Sequence, residues 1–228
     1  MGKFYANDFL KQMLEDLSAL GRPVVRPVRT LDELQQVYRL THECYVSNGF
    51  AESHRTGLVV HYPHYDHIPE TTILIAILEG KIVGSVSYTI DGPSGFTLDE
   101  DFRPECDSIR EEGKRVGVVW RLVVDKSVRS NRAVVSDLID GVIKLAVEYD
   151  VPTVLFAVNP RHENVYKRML RMEVVERRQA TEGLTNAPAV LLRGDRDTIL
   201  RINERPNLVD ADTVSLFQML ASSPYLTR

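Results

Sequence analysis

Apolar positions along this 228-residue chain change period several times, and each change marks an element. The run from Val118 to Val124, apolar but for one residue, shows no alternation, which predicts a strand buried on both faces. Arg121 stands inside it. A charge in such a run costs several kcal/mol unless it is paired or reaches a polar cavity, so its presence needs a reason. After Asp125 the segment KSVRSNR supplies backbone amides and cations, and a helical period then runs from Ala133 to Glu148. A strand, a basic turn and a helix N-terminus in succession predict an anion site.

Around this junction the pattern gives the remaining elements. Phe9, Leu10, Met13, Leu14, Leu17 and Leu20 share one face of an amphipathic helix that stops at Gly21. Pro23 to Arg29 reads as a short strand, and Thr30-Leu31-Asp32-Glu33 as a capping box opening a helix to about Ser47. Residues 48 to 70 hold no period and are rich in His, Tyr, Gly and Pro, the mark of a loop that is functional or mobile. Thr71 to Leu78 and Lys81 to Ile90 form a hairpin around Glu79-Gly80, with Gly84 marking a bulge or a close backbone approach. Leu98 to Glu112 reads as loop with short helical pieces. Pro152 to Val158 is a second continuous strand, followed by a helix from about His162 to Arg171, a hairpin over Glu173–Ala180 and Ala187–Arg193, and a tail with a helix at Asp212 to Ala221. The order predicts an α/β fold with a mixed central sheet flanked by helices. Residues 1–22 are expected to form an N-terminal helix, 23–195 the main domain and 196–228 a helical tail.

Composition narrows the function classes. A hydrophobic share of 43% and a charged share of 26% belong to an ordinary globular protein, and a net charge of -4 leaves no footprint for nucleic acid. Basic residues nevertheless crowd the stretch from Arg115 to Arg178, where an anionic ligand or carrier would find its field. Cys44 and Cys106 have no metal-ligand spacing and suit a reducing cytosol, so a cytoplasmic location is expected. No run reaches the roughly 20 apolar residues of a membrane span. His61, His64 and His67 with Asp66 match no zinc signature, so no metal is expected.

The segments EGKIVGSVS and WRLVVDKSVRSNR resemble the acyltransferase fold of the Gcn5-related N-acetyltransferases. TLDELQQVYRLTHECYV, HYPHYDHIPETT, DGPSGFTLDEDF, RLVVD and AVNPRHENVYKRML together resemble, more narrowly, the long-chain N-acyl amino acid synthases, relatives of the acyl-homoserine lactone synthases. The similarity covers about residues 24 to 195. It implies a GNAT-like fold and transfer of a fatty acyl group from the phosphopantetheine thioester of an acyl carrier protein to the amine of an amino acid, with no tightly bound cofactor. Three departures bear on substrate. The turn Arg129-Ser130-Asn131-Arg132-Ala133 lacks the glycines of a coenzyme A pyrophosphate loop; Val118 stands where the lactone synthases have an acid; and Arg171-Met172 replaces a glycine-aromatic pair.

Amide formation from a thioester needs a neutral amine, donors for the oxyanion and a proton for the thiolate. The resemblance implies that splaying of the central strand frees the backbone N–H near Val123 for the thioester carbonyl. It also sets Tyr166, seven residues after Asn159, near the leaving sulfur as proton donor; a tyrosine capping the core is the competing reading. Arg121 organises the acceptor pocket or binds a substrate carboxylate, or else pairs with an acid of the 99 to 112 region. Val124, Arg129, Asn131, Arg132 and Ala133 are expected along the donor's phosphate arm, with Arg129 and Arg132 alternatively facing the carrier protein or solvent. Asn159 lies on the donor arm or caps the following helix. Glu70 or a histidine of the 48 to 70 loop is the candidate base. The competing functions are a lactone-forming synthase, an acetyl-coenzyme A-dependent enzyme, and a non-catalytic acyl-binding sensor. Nothing in the sequence decides the oligomeric state.

Overall fold

The computed structural model describes residues 21–59, 61–128, 132–181 and 187–203, with backbone alone at 132, 202 and 203. The helices expected at 7–20 and 212–221 and the turn at 182–186 lie outside the described residues. Seven strands form one mixed sheet in the order β1-β2-β3-β4-β5-β7-β6: β1 Val24–Pro27, β2 Thr71–Leu78, β3 Lys81–Ile90, β4 Val116–Val124, β5 Thr153–Val158, β6 Glu173–Arg178 and β7 Ala189–Asp195. Among the described strands only β4 and β5 run parallel, and the helix α3, Arg132–Glu148, lies in their connection. The other described helices are α1 Leu31–Ser47, α2 Arg103–Glu111, α4 Glu163–Met169 and α5 Arg196–Asn203.

Local chemistry sets these bounds. Thr30 Oγ1 accepts the Glu33 N–H at 3.2 Å, while the Glu33 carboxylate takes the Arg29 N–H at 2.7 Å and the Arg26 guanidinium at 2.6 Å, so the expected cap is built. β4 ends because Asp125 Oδ1 accepts both the N–H and the hydroxyl of Ser127 at 2.8 Å, turning the chain towards α3. Gly84 serves both expected roles. Val83 is the extra residue where pairing steps from Ala76↔Gly84 to Ile77↔Ile82, and a Cβ on Gly84 would stand 2.9 Å from Val134 of α3.

Each face of the sheet has its own core. Val134, Leu138, Val142 and Ile143 of α3 cover one face together with Tyr88, Val119, Phe156 and Leu192. Ile199 of α5, in the stretch assigned from sequence to the tail, is buried in that same cluster. On the other face α2 packs Cys106 and Ile109 against Phe96, Trp120 and Leu155, and α1 packs Leu40, Cys44 and Tyr45 against Val123. That second face also carries the loop of residues 48–70, through Tyr65 and Phe50.

Candidate active site

β4 and β5 stay paired only to Val119↔Phe156, although β4 continues to Val124. Beyond that point they part, and a cavity of about 210 Å³ opens between them. Val119 to Leu122 form one wall and Phe156 to Asn159 the other. Val119 and Phe156 belong to the α3-face core while Trp120, Leu98 and Phe102 belong to the opposite one, so the cavity crosses the sheet. Tyr45, Phe50, His61 and Tyr62 close one end, and His162 and Tyr166 project from the segment after β5.

The irregular wall has an identifiable cause. Pairing of β4 with β3 steps from Ser87↔Trp120 to Ser85↔Val123, which sets Arg121 and Leu122 opposite the single residue Val86. Arg121 sits there at φ 50, a left-handed conformation that a non-glycine residue adopts only when its surroundings hold it. Strict alternation would send Arg121 to the apolar α3 face, opposite Trp120. The bulge instead puts both side chains on one face, with the guanidinium 4.6 Å from the Trp120 ring centre.

There Arg121 meets an acid. Its two terminal nitrogens grip Asp66 at 2.8 and 2.6 Å, and one also donates to Ser87 Oγ at 2.8 Å. Tyr38 donates its phenol to Asp66 at 2.8 Å, and both side chains of the ion pair are 0% exposed. The competing reading, a pair with an acid of residues 99–112, is thus not what forms: Asp99 and Asp107 pair with Arg110, Glu105 with Arg178 and Glu112 with Arg193. A bidentate buried pair answers the desolvation cost that the sequence posed. With both terminal nitrogens committed, the fork is unavailable to a substrate carboxylate; Nε alone has no hydrogen-bond partner among the described residues.

Other expected residues fall at varied distances from the cavity. Tyr166 borders it, its ring edge-on to Phe156 with centroids 4.9 Å apart. Burial pushes its phenol well above the ordinary range, so it carries its proton. Asn159 also borders it, but its Oδ1 accepts the Arg161 N–H at 3.2 Å, so it is a cap as well as a wall. Val123 does not border it. The Asp125 N–H donates to Val83 O at 2.8 Å, and ladder alternation turns the Val123 N–H towards β3 too, leaving Arg121 and Leu122 as the backbone at the gap. Val124 pairs with Gly84, and its carbonyl accepts the Cys44 thiol at 3.3 Å. Ala133 lies in the first turn of α3. Arg129, Asn131 and the Arg132 side chain lie outside the described residues. Glu70 packs against Gly92 beyond the end of β3 and is not among the cavity residues. Among the described residues no group of His, Cys, Asp and Glu is arranged to hold a metal.

Two participants had no clear sequence signal. Asp66 was visible only as one member of a polar loop, because a partner 55 residues from Arg121 leaves no periodic trace. His162 lies one helical turn before Tyr166, and this i, i+4 spacing was the available clue. Its pKa is lowered to about 4 by burial first and by the Arg161 charge second.

A mixed sheet that parts between its parallel strands, with a cavity at the parting, is the architecture of the acetyltransferase fold, and the family match over most of the chain makes it an N-acyltransferase. The model of the N-acyl amino acid synthase FeeM family matches residues 36–195, and the chain belongs to that family. Among solved structures, FeeM itself, an N-acyl amino acid synthase from uncultured soil microbes, superposes with a TM-score of 0.68 at 20% identity, covering 77% of this chain and 91% of that one. BjaI, a coenzyme A-dependent acyl-homoserine lactone synthase solved with SAM and isopentyl-CoA, gives 0.61 at 16% identity, with 86% and 99% covered. The acyl-homoserine lactone synthase LasI gives 0.54 at 13%, with 76% and 90% covered. No curated protein sequence matches the chain. No described helix is long and apolar enough to cross a membrane.

Proposed function

We propose that the protein transfers a long-chain fatty acyl group from the phosphopantetheine thioester of an acyl carrier protein to the amine of an amino acid, in one direct step. The observation that carries this is the cavity itself: it crosses the sheet at the parting of β4 and β5, so an extended thioester can lie between the strands with its chain among apolar walls. The amine nitrogen attacks the thioester carbonyl, the C–N bond forms, and the C–S bond breaks. The bulge backbone at Arg121 and Leu122, rather than Val123, faces the carbonyl oxygen as its charge develops. The departing thiolate takes its proton from the Tyr166 phenol at the cavity wall, and the phenol regains one from solvent, to which the amine gives up its own, so that amine and thioester become amide and thiol with Tyr166 unchanged. The amine arrives neutral and leaves its proton with solvent at the cavity mouth.

Arg121 acts here as a positioning residue. Its grip on Asp66 fastens the 48–70 loop, which supplies Phe50, His61 and Tyr62 to the cavity, onto the bulge that faces the thioester. The donor is tested by comparing release of thiol from acyl-loaded carrier protein and from acyl-coenzyme A, over chains of 8 to about 16 carbons, with a panel of amino acids. Turnover with the carrier protein at least about tenfold above that with coenzyme A, rising with chain length, supports the proposal. Equal or greater turnover with coenzyme A, or a preference for acetyl, overturns the donor assignment.

A further inference from the structure

Inside the cavity wall one titratable group has its chemistry fixed by a neighbour. His162 Nε2 lies 3.1 Å from Arg161 Nε, which points its hydrogen at the ring nitrogen. A guanidinium nitrogen has a hydrogen and no lone pair to offer, so Nε2 must be the unprotonated nitrogen and the ring proton must sit on Nδ1. Protonating the ring would set two N–H groups and two positive charges against each other. Arg161 is itself held, by stacking 5.2 Å over the Phe50 ring and by donating to Asn48 Oδ1 at 3.2 Å. Among the described residues His162 Nδ1 has no hydrogen-bond partner, while the residue borders the cavity on the wall that Tyr166 and Asn159 also form.

Resting on the N-acyltransferase reading above, we propose that His162 is a tautomer-locked hydrogen-bond donor that binds a carbonyl oxygen of the acyl-pantetheine arm through Nδ1–H, and is not the base that deprotonates the amine. The lowered pKa, about 4, agrees with a ring that stays neutral. The other titratable groups bordering the cavity are Tyr45, His61, Tyr62, Asp101, Arg121 and Tyr166. Burial holds the three phenols protonated, and Asp66 pairs with Arg121. A donor on the β5 side matches the chemistry of the arm, whose amide and thioester carbonyls are acceptors and carry no charge that would demand a cation.

The test uses the full chain and the ketone analogue of octanoyl-phosphopantetheine, in which methylene replaces sulfur so that no transfer occurs. The same analogue is also presented on coenzyme A and on carrier protein, to separate the two sources of the arm. Nitrogen-15 spectra of labelled histidine should show His162 as the neutral Nδ1–H tautomer from pH 5 to 8. His162→Asn, whose side-chain amide places an N–H near Nδ1, should bind the analogue within about threefold of the parent, and His162→Phe about tenfold more weakly, with the ratio constant from pH 6 to 8. Circular dichroism confirms that each variant is folded. A His162 titration near 6.5, a proton on Nε2, or equal binding by the phenylalanine variant overturns the proposal; so does an asparagine variant as weak as phenylalanine. If the parent binds the analogue in this pattern but, given the octanoyl thioester itself on either carrier, releases no thiol with any amine, the transfer reading fails and the donor role of His162 stands. If it does not bind the analogue on any carrier, both fail.

Discussion

Replacing Arg121 by alanine strands a carboxylate that has no route to water, since Asp66 is fully enclosed. The expected loss is about 3–5 kcal/mol of folding stability, read from chemical denaturation, with Asp66→Asn losing a similar amount. The paired replacement Arg121→Met with Asp66→Leu removes both charges and should recover much of that stability while impairing turnover, because the loop is no longer fastened to the bulge. Unchanged stability of Arg121→Ala would show that the pair does not hold the loop. A separate expectation concerns Tyr166→Phe, which keeps the ring on Phe156 and removes only the phenol: turnover should fall at least about tenfold at unchanged stability, by steady-state kinetics. At this scale the sequence announced that Arg121 needed either a partner or a polar cavity, because a charge amid valines is costly to bury. It did not announce Asp66, since the pairing crosses from a loop to a strand and depends on a bulge that reverses the side chain. Glu70 drew notice by residue type alone, and its distance from the cavity follows from a position at the head of β2 that spacing could not reveal.

Strand β4 carries most of the architecture, and its glycine tests it. A Cβ on Gly117 would run into the hydroxyl and ring of Tyr88, which is buried on the paired strand β3. Gly117→Ala should therefore destabilise the fold by about 1–3 kcal/mol or more, measured as a lowered unfolding midpoint; a neutral effect would mean that the Tyr88 ring moves freely in the core. Strands and long helices were legible because their periods are set by burial: the continuous runs of β4 and β5 and the capped start of α1 fall close to their expected places. The stretch read as loop with short helical pieces holds α2, whose full length its polarity concealed, with only Cys106 and Ile109 of its residues buried, and α5 was hidden by its place at the edge of an apparent tail. The bulge at Arg121 left no mark, because the left-handed residue there is not a glycine.

For the molecule as a whole, pH dependence follows from groups whose folded and unfolded protonation differ. His162 is neutral in the fold down to about 4, whereas its ordinary value is 6.5, so the unfolded chain binds the extra proton between those limits. Its contribution to stability is complete above about 6.5 and is lost as pH falls towards 4. Glu33, held at about 2 by Arg26 and the Arg29 N–H, acts in the same direction over a lower range, from 4.5 downward. Denaturation midpoints should thus fall between pH 7 and 4.5, and His162→Asn should flatten that fall; an equal pH dependence in the variant would remove His162 as its source. The decisive measurement is of product. Purified protein supplied with acyl-loaded carrier protein and a mixture of amino acids, and analysed by mass spectrometry, should yield an N-acyl amino acid in equal amount to the thiol released, with both strongly reduced in Tyr166→Phe. Bound acyl chain with no amide formed, in the parent as in the variant, would contradict transfer and leave a binding protein in its place.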